Sequence, residues 1–112
     1  METLRQKQNK FARMVVPLLQ KAFELGFEVS LGDAYRDPRV HGTQGVKLSY
    51  SGGDSAHKWR LAIDLNLFKE GKYLTKSTDH KQLGEFWESL GGTWGGRWDD
   101  GNHYSLEHDG IA

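Results

Sequence analysis

The chain has 112 residues, no cysteine, and fifteen basic residues balanced by fifteen acidic ones. That length suits one domain with one modest core. The missing cysteines exclude disulfides and thiolate metal sites, and the balanced charge gives no footprint for nucleic acid or an anionic membrane surface.

Residues 3–25 carry Leu4, Phe11, Met14, Val15, Leu18, Leu19, Ala22 and Phe23 at three- and four-residue spacing, which predicts a helix. Pro17 interrupts it, so the helix kinks or a second one begins there, and Gly26 supplies a stop. Phe27 to Leu31 reads as a short strand. Asp33 to Asp54 is a long polar stretch containing Pro38, Gly42, Gly45, Gly52 and Gly53, a length that usually marks a functional or mobile loop. Trp59 to Phe68 is the clearest strand, with Leu61, Ile63, Leu65 and Leu67 alternating with Ala62, Asp64, Asn66 and Phe68. A turn at Glu70-Gly71-Lys72 returns the chain through Tyr73-Leu74. Thr78 or Asp79 caps a helix running to about Leu90, with Leu83, Phe86, Trp87 and Leu90 on its apolar face and Gly91-Gly92 at its end. TWGGRWDDGN reads as turns, and His103 to Glu107 as a last strand. Helices and hairpin strands are segregated, so the expected class is α+β: a small antiparallel sheet with helices packed on one side. No stretch approaches the roughly 18 apolar residues of a membrane span. The N-terminal segment lacks an h-region followed by a small-residue cleavage site. The expectation is a monomer made in the cytosol, not inserted in a membrane, whose export needs outside help.

Without cysteine, a metal must be held by His, Asp or Glu. Asp64 lies on the polar side of the central strand, opposite Leu61, Ile63 and Leu65. His57 precedes that strand in a glycine-rich approach, and Asp100 stands three residues before His103 in a turn. His57, Asp64 and His103 would give zinc two nitrogens and one oxygen, leaving a position for water. Asp100 would then serve as the proton carrier, and Arg36 as the cation facing a developing oxyanion. The same residues have plainer readings: Asp64 facing solvent, Asp100 as a turn residue, Arg36 in a surface ion pair. His41, His80 and His108 are expected at the surface. Fourteen glycines and four tryptophans suggest aromatic surfaces around a groove, with Trp94 and Trp98 lining it or packing in the core.

The segment SAHKWRLAID resembles the Ser-x-His-x-x-Gly-x-Ala-x-Asp signature of the LAS metallopeptidases, matched at Ser55, His57, Ala62 and Asp64. DDGNHY is similar to that family's later acid-x-x-His element, AYRD to the Tyr-Arg element before the signature, and Gln44 to the glutamine that often follows it. LGGTWGGRWDDGNHY resembles the Gly-Gly-x-Trp stretch of the phage endolysin branch. The resemblance spans about Phe11 to Glu107. It implies a single LAS/Hedgehog-like domain in which His57, Asp64 and His103 hold zinc and Asp100 is general base and then acid. It also implies that Arg36 polarises the scissile carbonyl and Ser55 helps hold the substrate. Two positions depart from the pattern. Arg60 stands where the family has glycine, and Ser105-Leu106 where an acidic residue often comes sooner, with Glu107 further on.

The implied activity is hydrolysis of peptidoglycan stem peptides, with the L-alanyl-D-glutamate bond the best fit to the short domain and Trp-rich ending. A phage lysin would accumulate in the host cytoplasm and reach the wall through a lesion made by another protein. The rivals are a D-alanyl-D-alanine carboxypeptidase, a zinc-containing wall-binding module without catalysis, as in the Hedgehog domains, and an intracellular domain with no metal.

Overall fold

The computed structural model describes residues 2–32 and 56–112, with the side chains of His57 and Lys58 outside that description. The long polar stretch, with Arg36, His41, Gln44 and Ser55, lies outside the described residues.

Helix α1 spans Leu4–Glu24. Thr3 caps it in a reciprocal box: its hydroxyl accepts from the Gln6 amide at 3.1 Å, and the Gln6 side chain accepts from the Thr3 amide at 2.9 Å. The helix passes through Pro17 without ending, so no second helix starts there. Phe11, Met14, Leu18 and Ala22 form its buried stripe, while Phe23, expected on that face, is 58% exposed. The residues three and four apart share a face, and Phe23 lies a full residue beyond it.

Among the described residues, five antiparallel strands form one sheet: β1 Glu28–Leu31, β2 Ala62–Lys69, β3 Lys72–Tyr73, β4 Thr93–Trp94 and β5 His103–Ser105. β2 is central. β1 runs along one edge of it, while β5 and β3 share the other, β5 pairing with Ala62–Asp64 and β3 with Phe68–Lys69. β4 pairs outside β5. The expected central strand begins three residues later than its apolar pattern suggested. Ala56–Trp59 forms a 3-10 turn, and Arg60 follows in the left-handed region at φ 56°, a conformation that cannot continue into a strand. The Thr93–Trp94 strand, read as turn from sequence, exists because β5 offers it a partner.

A second 3-10 turn, Ser77–His80, leads directly into helix α2, Lys81–Ser89. The Asp79 carboxylate accepts from the Lys76 amide at 3.0 Å, closing the start of the 3-10 turn, while the helix cap expected of Thr78 or Asp79 falls to His80, which makes no side-chain cap hydrogen bond. Both helices cover the sheet face that carries Ile63, Leu65 and Leu67. Together with Leu83, Trp87, Trp94 and Tyr104 these residues make one core. Trp87 meets Phe11 and Tyr104 edge-to-face, at 5.7 and 6.2 Å between ring centres. The fold is α+β, with its helices on one side of an antiparallel sheet.

Candidate functional site

The alternation of β2 sends Ile63, Leu65 and Leu67 into the core and turns Ala62, Asp64 and Asn66 to the face away from the helices. Across the strand boundary Asp64 stands opposite His103, and Ile63 opposite Tyr104. The flanking hydrogen bonds, Leu65 N–H to Asn102 O at 3.0 Å and Leu106 N–H to Leu61 O at 2.8 Å, make Asp64–His103 a non-hydrogen-bonded pair. In that register facing side chains stand closest. His103 Nδ1 is 3.7 Å from Asp64 Oδ1, with the two side chains 6% and 16% exposed.

The same imidazole nitrogen is 4.0 Å from Asp100 Oδ2. A stack of backbone hydrogen bonds builds this turn. Asp100 N–H donates to Gly95 O at 2.8 Å, and His103 N–H to Asp100 O at 3.1 Å. The 3-10 turn Gly95–Trp98 comes first, and Asp99 reverses the chain in the left-handed region at φ 63°, which aspartate tolerates better than most residues. Gly95 is required at its position. A Cβ there would meet the Asp100 carbonyl and stand 2.7 Å from His103 Cβ. Trp98, half exposed, sets its ring 5.6 Å from the His103 ring, at the open side of the site.

Trp94 takes the other of its two expected places. It pairs with Tyr104, which pairs with Ile63, so all three lie on the helix-covered face. It is 6% exposed, packs against Gly84 and Gly96, and donates its indole N–H to Gly101 O at 2.7 Å. It lines no groove. His80 also departs from expectation. It is 3% exposed, and its Nδ1 lies 2.7 Å from the Tyr104 hydroxyl. Burial holds its pKa down at about 4, against a smaller opposing pull from Asp79, and burial likewise pushes the Tyr104 phenol up. Spacing held the signal for this, because 80, 83, 87 and 90 fall on one helical stripe. His108 is partly buried, with its ring edge-on to Trp59 at 5.0 Å and its Nδ1 3.2 Å from Lys7 Nζ.

A cavity of about 180 Å³ adjoins the turn, lined by Leu74 to Ser77 on one side and Asp99 to Asn102 on the other. It opens where β3 and β5 share the edge of β2. Asp100 is part of its wall, and its surface is largely polar.

Zinc takes imidazole nitrogen and carboxylate oxygen together. Asp64 and His103 present one of each, shielded from solvent and on facing strands, so the donor chemistry of the pair fits that ion. Among the described residues, no group of three His, Cys, Asp or Glu side chains is arranged to hold a metal. The expected third donor, His57, has its backbone in the 3-10 turn that leads into β2, and its side chain lies outside the described residues. Arg36 and Ser55 lie outside them too. Among those described, no helix is long and apolar enough to cross a membrane.

A family model described as D-alanyl-D-alanine carboxypeptidase matches residues 49–106, slightly more than half of the chain. The matched segment runs from before the Ser55–Asp64 signature through the Asp100–His103 turn. No curated protein matches the chain.

Proposed function

The chain belongs to the D-alanyl-D-alanine carboxypeptidase family of peptidases, and from that premise we propose that it is a zinc-dependent hydrolase of bacterial peptidoglycan stem peptides. The observation that carries the reading is the placement of Asp64 and His103 as facing neighbours on the sheet face away from the helices, with Asp100 at the adjoining turn.

In this reading His57, Asp64 and His103 hold the zinc, which supplies Lewis acidity toward the scissile carbonyl and toward water. Asp100 takes the proton of the attacking water and returns it to the departing nitrogen. Its half-exposed carboxylate leaves it accessible to both. Arg36 bears on the carbonyl oxygen as charge develops there, and Ser55 helps hold the peptide. Trp98, beside His103, offers the substrate an apolar surface.

For the scissile bond we favour L-alanyl-D-glutamate, on the resemblance of LGGTWGGRWDDGNHY to the endolysin branch. The enzyme would then be a phage lysin, made in the host cytoplasm and reaching the wall after another protein opens the membrane. The description of the matching family supports a second reading, removal of a terminal D-alanine. Digestion of intact sacculi and of free D-Ala-terminated peptides separates the two. New D-glutamate amino termini are expected from sacculi, and release of free D-alanine instead would establish the second.

Metal analysis and Asp100→Ala test the chemistry itself. Near-stoichiometric zinc is expected in both wild type and variant, with the variant's rate down by about 10²–10⁴-fold, the usual contribution of a general base. His57→Ala should release the zinc. Full zinc retention in that variant would dismantle the ligand set.

A further inference from the structure

The two peptide groups that flank Gly101 connect the two chemical residues of the Asp100–His103 turn to the rest of the fold, and each is held by a side chain from another element. The Gly101 N–H donates to Ser77 Oγ at 2.9 Å. The Gly101 carbonyl accepts from the Trp94 indole N–H at 2.7 Å. Gly101 is buried and interlocked with its neighbour. A Cβ on it would meet Ser77 Cα and stand 2.7 Å from the Ser77 carbonyl oxygen and 2.8 Å from its Cβ. The two holders come from separate elements: Ser77 opens the 3-10 turn before α2, and Trp94 ends β4.

We propose that Ser77 and Trp94 are positioning residues for the hydrolysis, clamping the two successive peptide groups at Gly101 so that Asp100 and His103 keep their relative placement. The proposal rests on the reading of Asp100 as base and His103 as metal ligand. A buried residue has a backbone N–H and a C=O to satisfy, and at Gly101 both are satisfied by side chains rather than by a sheet ladder. Ser77 therefore helps to set the plane of the Asp100–Gly101 peptide, whose carbonyl also accepts from the His103 N–H, and Trp94 helps to set that of the Gly101–Asn102 peptide. Rotating either one tips the Asp100 carboxylate relative to the imidazole three residues on. Misplacement of a catalytic group by about 1 Å can cost up to roughly 10²-fold in rate.

The test uses full-length protein. Ser77→Ala is expected to lower kcat about 10-fold with KM within about twofold and zinc content unchanged, as a positioning loss does. In metal-free protein the Gly101 amide should exchange with solvent about 10-fold faster or more, while the β2 core amides keep their protection. Ser77→Thr retains the acceptor oxygen and should recover kcat to within about threefold. Trp94→Phe, which keeps a ring but removes the N–H, should lower kcat in the same direction. A kcat in Ser77→Ala within about twofold of wild type overturns the clamp. So does a rise in KM at unchanged kcat, which would make Ser77 a substrate contact in the adjoining cavity. So does a general loss of exchange protection, which would make it purely structural. Asp100→Ala run in parallel separates the two levels. Full activity there refutes the base assignment, whereas lost activity there with an unaffected Ser77→Ala refutes the clamp alone.

Discussion

His80 and Arg60 show how single side chains trade local cost against fold. His80 fills a core position, and it answers the Tyr104 hydroxyl there. Its pKa of about 4 lies below the ordinary 6.5 because burial penalises the charged form. The unfolded chain therefore binds the proton more readily, so this contribution to stability is complete above pH 6.5 and is lost as pH falls toward 4. Over that window the loss reaches about 3 kcal/mol. Urea unfolding of metal-free protein at several pH values should show it, with a flatter dependence in His80→Gln. Arg60 holds a left-handed backbone at φ 56°, where the family resemblance calls for glycine. A non-glycine residue costs roughly 1–2 kcal/mol there, and glycine's extra freedom in the unfolded chain offsets about 0.5–1 of that. Arg60→Gly is expected to raise stability by up to about 1 kcal/mol by urea midpoint. A decrease would mean that the contacts of the arginine side chain outweigh its backbone strain.

At the scale of elements, the turn from Gly95 to His103 leaves little room for change. Gly95 lies against the Asp100 carbonyl and the His103 Cβ, so even a methyl group there has no space. Gly95→Ala should cost about 1–3 kcal/mol, the usual range for overpacking. It should also abolish hydrolysis while leaving β1 and α1 protected in hydrogen exchange. The elements themselves were largely legible. The stripe of α1, the alternation of β2 and the stripe of α2 all follow from periodicity. What periodicity missed was set by partners or by backbone sign. Two-residue β4 exists through its pairing with Ser105 and Tyr104, and β2 starts late because Arg60 is left-handed. Ser77 carried no signal at all, since a serine before a helix reads as a turn residue whether or not its hydroxyl clamps a distant peptide.

For the whole molecule, the candidate metal ligands come from three segments: the 3-10 turn Ala56–Trp59, β2 and β5. An ion held by all three ties them together and binds the folded chain only. Zinc at about 100 times its dissociation constant would add about 2.7 kcal/mol of stability. Thermal melts with zinc and with a chelator should therefore differ, and His103→Ala should erase the difference. A chelator-insensitive melt in wild type would count against a resident metal.

The sequence by itself determined the fold class, the apolar faces and the family signature, because these depend on residue type and spacing along the chain. It also singled out His57, Asp64 and His103 as candidate metal ligands, with Asp100 beside them. Tertiary structure decided that Asp64 and His103 meet across a closely spaced strand pair. It also decided that Trp94 belongs to the core and His80 is buried. Those outcomes depend on strand register: a shift of one residue exchanges the two faces of a strand, and spacing along one strand does not specify its alignment with another.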